Sequence, residues 1–356
     1  MKRLAVIMAG GSGERFWPLS SSDRPKQLLR LTNPRQTLLE EAVSRIVTLV
    51  GSENVLIATG RLLAEPILRA GLVRSENVLA EPDRRNTLGC LCWVTANLLA
   101  RGDADVTLAV LTADHAIGDP DRFRKDIALA LDAAEATGGL VTVGVPPSRP
   151  EIGYGYIEVD RAGPVEPGAF AAKSFREKPS SDLAAKFLES GDFLWNSGMF
   201  FWTLSSFQRE LAAAEPEAAK LARSMADAIR AGRSEEAEKL FSDLPNLSID
   251  YALMERATTV YVVEARFPWD DVGAWDALER TLPGDPRGNV ASGDVVLVDC
   301  EGTIVYNDSP LSVAGVLGAR DMIVVLTQDA LLVCPKSEAQ RVRELVEQLR
   351  QRGGKL

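Results

Sequence analysis

The sequence predicts an α/β fold: a mostly parallel sheet with helices on both faces, followed by a small β-rich C-terminal piece. Three observations carry this. Short apolar runs alternate with helix-period segments across the first 145 residues, the pattern of a parallel sheet covered by helices. The first apolar run ends in a glycine-rich turn, Ala9-Gly10-Gly11-Ser12-Gly13. Pro283, Gly284, Pro286 and Gly288 cluster after Leu282 and mark a domain boundary. This divides the chain into 1–284 and 285–356.

In chain order, Leu4 to Met8 is a buried-strand run. Thr37 to Val50 has apolar residues at helical spacing, Asn54 to Thr59 is a strand and Leu62 to Ala70 a helix. Asn77 to Ala80 is a short strand ending in Glu81-Pro82. Asn86 to Ala100 is a helix with Asn86 or Thr87 as its cap. Val106 to Thr112 is a buried strand with Asp114 just past its end. Asp121 to Ala136 is an amphipathic helix and Leu140 to Val145 a strand. Ligands in such sheets lie outside the carboxyl ends of strands, where the glycine turn, Glu81-Pro82 and Asp114 all fall.

From Gly153 to Phe175 the pattern is strand-rich. Ser181 to Glu189, Ser205 to Ala214 and Glu217 to Phe241 read as helices. Ile249 to Glu255 is a short helix and Thr258 to Glu264 a strand. Beyond the boundary, Val295 to Val298, Thr303 to Tyr306, Met322 to Leu326 and Leu331 to Cys334 are β-rich, and Glu338 to Arg352 closes as a charged helix. The C-terminal piece shows no site chemistry, so an interface or packing role is expected of it.

Composition narrows the function classes. The 356 residues are 46% hydrophobic and 25% charged with net charge −10, an ordinary globular balance that disfavours a nucleic-acid surface. Within it, the first 35 residues carry Lys2, Arg3, Arg15, Arg24, Lys26, Arg30 and Arg35 against Glu14 and Asp23. Basic residues at a glycine turn suggest a local anion site. The four cysteines lack metal spacing and read as reduced core thiols. No apolar run reaches the roughly 18 residues of a membrane span and no leader pattern is present, so a cytoplasmic protein is expected.

The glycine turn is neither of the two common phosphate loops. Phe16 stands where G-x-G-x-x-G needs its third glycine, and no G-K-[ST] closes the loop. What remains is amide donors with Arg15, Arg24 and Lys26 close behind. Asp114 follows a strand directly, and a rigid carboxylate there suits Mg²⁺. Asp270-Asp271-Val272-Gly273 offers a second carboxylate, with a helix cap as the plain alternative. Glu177-Lys178-Pro179, Asn196 within an aromatic run and Gly155 at a strand entry are further polar candidates. With one histidine, His115, no nucleophile–base pair stands out, so displacement on phosphorus by positioning, cations and a metal is the chemistry that fits.

Together these segments resemble the sugar-1-phosphate nucleotidylyltransferases, most closely the mannose-1-phosphate guanylyltransferases of the monofunctional bacterial type. Gly10-Gly11-Ser12-Gly13-Glu14-Arg15-Phe16-Trp17-Pro18-Leu19…Pro25-Lys26-Gln27 matches the family's signature. Glu81-Pro82-Asp83-Arg84-Arg85-Asn86-Thr87 and Ala113-Asp114-His115 follow. The runs GYGYI, FREKP, WNSGMF, SIDYALME and WDDVGAW then come in the family's order. Thr112 replaces the usual proline, Phe16 the usual leucine, and Leu88-Gly89-Cys90 an otherwise small or apolar run that faces the base.

The resemblance implies a Rossmann-like nucleotide-diphospho-sugar transferase fold with a left-handed β-helix-like C-terminal domain, and a homodimer. It implies that GTP and mannose 1-phosphate give GDP-mannose and pyrophosphate by in-line attack on the α-phosphorus. Arg15 and Lys26 would be catalytic. Gly10, Gly11, Gly13, Asn86 and Thr87 would bind nucleotide, with Asn86 and Thr87 at the guanine. Gly155, Glu177 and Asn196 would hold mannose hydroxyls, Lys178 the sugar phosphate, and Asp114 with Asp271 Mg²⁺. No nucleic acid or membrane partner is expected, and no isomerase activity, since the sequence shows no cupin segment. Another hexose or heptose 1-phosphate, another base, or a non-catalytic nucleotide-sugar binder remain alternatives.

Overall fold

A computed structural model of the chain describes residues 1–11, 13–21, 23–165 and 167–353. Ser12 of the glycine turn lies outside the described residues. The chain packs as two compact units. The first comprises Met1–Gly10, Val43–Thr112 and Gly118–Pro268; the second comprises Gly11–Ala42, Ala113–Ile117 and Trp269–Leu356.

The first unit is built on nine strands: β1 (Lys2–Met8), β2 (Val55–Gly60), β3 (Val78–Glu81), β4 (Val106–Thr112), β5 (Leu140–Val145), β6 (Gly155–Val159), β7 (Phe170–Glu177), β8 (Phe193–Thr203) and β9 (Val260–Glu264). Their order is β3-β2-β1-β4-β8-β5-β9-β7-β6. β3, β2, β1 and β4 are mutually parallel, as the alternating pattern predicts. β8 runs antiparallel between β4 and β5, and β6 and β7 pair antiparallel, so the sheet is mixed beyond β4. Met8 is level with Thr112 and Ala58, and Gly60 with Glu81. The carboxyl ends of four strands therefore share one edge.

Both faces of this sheet are covered. Leu4, Val6, Leu56, Ala58, Leu108 and Val110 join one core cluster with the helices Asn86–Arg101, Leu204–Ala214 and Pro216–Arg230. Ala5, Ile7, Val55, Ile57, Ala109 and Leu111 alternate with them and are equally buried. The helix Pro120–Thr137 packs on β5, β8 and β9. Burial on both faces is why these strands read as unbroken apolar runs.

Two helix expectations change. The run Glu217 to Phe241 is two helices, Pro216–Arg230 and Ser234–Ser242. Gly232 takes φ +72 and Arg233 N–H returns to the Ala228 carbonyl, a glycine-capped stop. The helix from Asn86 starts at Asn86 itself, with Arg85 in the cap position.

The second unit joins the glycine loop to the C-terminal residues. Three parallel strands, Val290–Ser292, Ile304–Asn307 and Met322–Leu326, lie side by side, with Leu331–Pro335 antiparallel at the end. Val295–Val298 and Ala314–Leu317 form a second parallel pair. The buried Asn289 amide serves the turns: its Nδ2 donates to the Cys300 carbonyl and its Oδ1 accepts from Thr303 N–H. Phe16, Leu19, Leu29 and Leu31 share one core with Trp275, Ile304, Tyr306 and Ile323. Trp275 is fully buried, stacks edge-on against Phe16 at 5.2 Å, and donates Nε1 to the Trp17 carbonyl at 3.0 Å.

Trp275→Ala is expected to lower the stability of this unit by about 3–5 kcal/mol, read by urea unfolding followed by circular dichroism. Trp275→Phe should lose about 1 kcal/mol, the worth of the hydrogen bond. A loss below about 1 kcal/mol in the alanine variant would show that Trp275 does not anchor the loop.

Candidate active site

In the second unit, a cavity of about 390 Å³ is lined by Gly13, Arg15, Lys26, Asp114, His115 and Asp271 among others. Lys26 is its fixed point. Only 7% exposed, its Nζ donates to Asp114 Oδ2 at 2.9 Å and to the Asp271 carbonyl at 2.6 Å. A buried ammonium needs such acceptors. Gly13 makes room for it: a Cβ there would sit 2.5 Å from Lys26 Cβ, and its φ of +62° also favours glycine.

The WDDVG segment separates its two carboxylates. Asp270 is buried, accepts from Arg280 Nε at 2.6 Å and from Val272 N–H at 2.8 Å, and is thereby structural. Asp271 lines the cavity. Between them and Gly273, Val272 holds φ +47 with its side chain fully buried. A β-branched residue there costs about 1–3 kcal/mol, which the buried side chain and the Asp270 bond offset.

Burial alone would raise the Asp114 carboxyl, but the Lys26 charge and then His115 outweigh it and hold it below the usual range. His115 Nδ1 accepts from Trp269 Nε1 at 3.1 Å, so the lone histidine is positioned as a wall beside Asp114. Arg15 Nη1 makes one long bond, 3.4 Å, to the Gly273 carbonyl. Its Nε is buried without a hydrogen-bond partner among the described residues, a donor suited to an incoming anion.

Asp114 and Asp271 line one cavity, two hard-oxygen side chains of the type that could hold a divalent cation. No group of three or more metal-ligating side chains occurs among the described residues. Gly11 takes φ +100, while Gly10 is exposed, and a Cβ on either would meet nothing. Gly10 belongs to the first unit.

The first unit gathers the other candidates. Gly155 pairs with Glu177 across β6 and β7, and a Cβ at Gly155 would sit 2.4 Å from Glu177 Oε2 and 3.4 Å from Asn196 Cβ. Lys178, exposed and at φ +46, lies 3.4 Å from Glu177 Oε1. Asn196 Oδ1 accepts from Gly198 N–H at 3.1 Å, and its Nδ2 donates to Asp250 Oδ1 at 2.7 Å. Asn86 is exposed, and its Oδ1 accepts from Thr87 N–H. Thr87 Oγ1 accepts from Ile249 N–H at 2.7 Å, which leaves its hydroxyl proton as its remaining donor.

Sequence reasoning assigns no role to Asp250. Burial first, then the Glu177 charge, pushes its carboxyl up to about 6, against the lowering bond from Asn196. The signal available is its place in the SIDYALME run. Glu81, at the end of β3, is pushed up to about 7 by burial, with a Cys90 bond acting the other way. Arg343, from the C-terminal helix, also lines the cavity of the second unit.

A glycine loop after the first strand of such a sheet, with cations and two carboxylates on one cavity, has the donors that a phosphate-bearing ligand needs. Residues 4–285 match the nucleotidyl transferase family model, and residues 293–349 match the mannose-phosphate isomerase/GMP-like β-helix domain. The chain belongs to the nucleotidyl transferase family, in its mannose-1-phosphate guanylyltransferase branch. It is 36% identical to the mannose-1-phosphate guanylyltransferase of Escherichia coli over 98% of this chain and 74% of that protein. It is 35% identical to alginate biosynthesis protein AlgA of Pseudomonas aeruginosa over 98% of this chain and 73% of that protein. The crystal structure of mannose-1-phosphate geranyltransferase from Thermus thermophilus superposes with a TM-score of 0.87 at 38% identity, covering 98% and 100% of the two chains. Nucleotidyltransferases of this family generally use a divalent metal and take nucleotide and sugar-phosphate substrates. No helix among the described residues is long and apolar enough to cross a membrane.

Asp250 titrates higher in the folded chain than in the unfolded one. Its contribution to stability is therefore complete below about pH 4 and lost as pH rises through about 6. Asp250→Asn should be more stable than the parent by about 1–3 kcal/mol at about pH 7.5, with the difference vanishing near about pH 4. Urea midpoints across this range measure it; a difference independent of pH would contradict the assignment.

Proposed function

We propose that this chain transfers GMP from GTP to α-D-mannose 1-phosphate, giving GDP-mannose and pyrophosphate. The observation that carries the reading is the cavity in which Arg15 and Lys26 stand with Asp114 and Asp271, in a chain whose relatives include the Escherichia coli mannose-1-phosphate guanylyltransferase. An oxygen of the sugar phosphate attacks the α-phosphorus in line and pyrophosphate leaves, so no protein nucleophile is required.

In this reading residues 1–284 form the catalytic domain and 285–356 the C-terminal domain. Arg15 and Lys26 stabilise the triphosphate and its developing charge. A preorganised donor at such a point contributes about 3–4 kcal/mol to the barrier. Gly10, Gly11 and Gly13 give backbone contacts to the nucleotide, and Asn86 and Thr87 lie at the guanine. Gly155, Glu177 and Asn196 hold mannose hydroxyls and Lys178 the sugar phosphate. Asp114 and Asp271 would hold Mg²⁺, which would supply positive charge against the phosphates. The C-terminal strands support a homodimer, since Val296, Val298, Leu311, Val313, Leu317 and Leu331 are exposed apolar residues of that region.

Pyrophosphate release measured over a grid of nucleoside triphosphates and sugar 1-phosphates with Mg²⁺ tests the reading. GTP with mannose 1-phosphate should give the highest kcat/KM; a higher value for another pair would replace the substrate assignment. Asp271→Ala should abolish turnover with the circular dichroism spectrum unchanged, and full activity would remove Asp271 from the site. Asn196→Ala should raise KM for mannose 1-phosphate about tenfold or more while KM for GTP stays within about twofold; equal effects would count against a sugar role.

A further inference from the structure

The C-terminal helix Val342–Gln351 brings an arginine, Arg343, to the loop cavity. Val342 and Val346 are buried on one side of this helix, and Val342 joins the core of the second unit. Arg350, two turns after Arg343 and so on the same helical face, ion-pairs with Glu14 of the glycine loop at 2.6 Å. The helix also packs directly on the Glu14–Phe16 turn. With the helix held in this register, Arg343 lines the cavity beside Gly13, Arg15 and Lys26.

The charges around the cavity are unequally engaged. Lys26 is held by Asp114, and Glu14 by Arg350. Arg343 is exposed and makes no direct salt bridge among the described residues; its charge acts on the neighbouring Glu344 carboxylate, which Arg341 binds. Among the described residues Arg15 has only its long bond to a carbonyl and a buried, unpartnered Nε. Arg15 and Arg343 are thus the two guanidinium groups on this cavity that no carboxylate grips in a salt bridge among the described residues. Two guanidiniums lining one cavity suit an extended polyphosphate, since each can bind two phosphate oxygens through its planar fork.

We propose that Arg343 binds the terminal phosphates of the nucleoside triphosphate, the part that leaves as pyrophosphate, making the C-terminal helix part of the substrate site. The inference rests on the nucleotidyl-transfer reading above. It follows that Arg343 acts on GTP and, in the reverse reaction, on pyrophosphate, while the sugar and the GMP moiety bind without it.

Steady-state kinetics in both directions test this. Arg343→Ala should raise KM for GTP and for pyrophosphate about tenfold or more. KM for mannose 1-phosphate and GDP-mannose should stay within about twofold, and the thermal unfolding midpoint should not move. Arg343→Lys should fall between, because it keeps charge and loses the fork. Unchanged KM for GTP and pyrophosphate would overturn the proposal. So would an equal rise in all four constants with a lowered midpoint, which is the signature of a structural role. If the parent chain turns over none of these substrates, the functional reading fails. Calorimetric titration of pyrophosphate with Mg²⁺ into the parent and Arg343→Ala then still decides this point: about tenfold weaker binding in the variant supports it, and equal binding refutes it.

Discussion

One buried ammonium organises the candidate site. Lys26 donates hydrogen bonds to the Asp114 carboxylate and the Asp271 carbonyl, joining segments that stand 88 and 245 residues away in the chain. A charge so buried is tolerated only with well-placed acceptors, and removing one partner of such a pair leaves the other uncompensated. Several local oddities follow from it. Gly13 must lack a side chain because Lys26 passes over it. Val272 keeps its positive φ beside the Asp271 carbonyl that Lys26 binds. Asp114 stays ionised although burial opposes its charge.

That contact lies within the unit that also contains the C-terminal strands. Phe16 and Trp17, in the glycine loop, meet Trp275, which meets Tyr306 in the strand Ile304–Asn307. The Tyr306 hydroxyl in turn donates to the Arg30 carbonyl. The loop that carries Arg15 and Lys26 is therefore supported by residues from the opposite end of the chain. The β-rich piece is a foundation for the loop as well as an appendage, which the exposed apolar residues on its strands alone would not suggest.

Much of the fold is legible in the sequence because it rests on local pattern. The strands Val106–Thr112 and Leu140–Val145 match their expected bounds to the residue, since strands buried on both faces are continuous apolar runs. Val290–Ser292 and Ala314–Leu317 escape a sequence reading: three- and four-residue strands, one containing Gly315, carry too little periodicity to stand out. The break at Gly232 is masked by alanine-rich helix on either side. Among the site residues, the glycine loop and the acids after strand ends can be singled out by type, but that Lys26, Asp114 and Asp271 meet is a property of the tertiary fold. Asp250 reads as an ordinary helix residue, because the low-dielectric surroundings that raise its carboxyl exist only after folding. Arg343 is hidden in a charged helix whose composition suits any solvated face.

The account depends most directly on Lys26. Pyrophosphate release from GTP and mannose 1-phosphate should be measured for Lys26→Met, a substitution that keeps the apolar stem and removes the charge. The expected kcat is lower by about 10²–10³-fold in a protein whose circular dichroism spectrum matches that of the parent. A kcat within about threefold of the parent would contradict it.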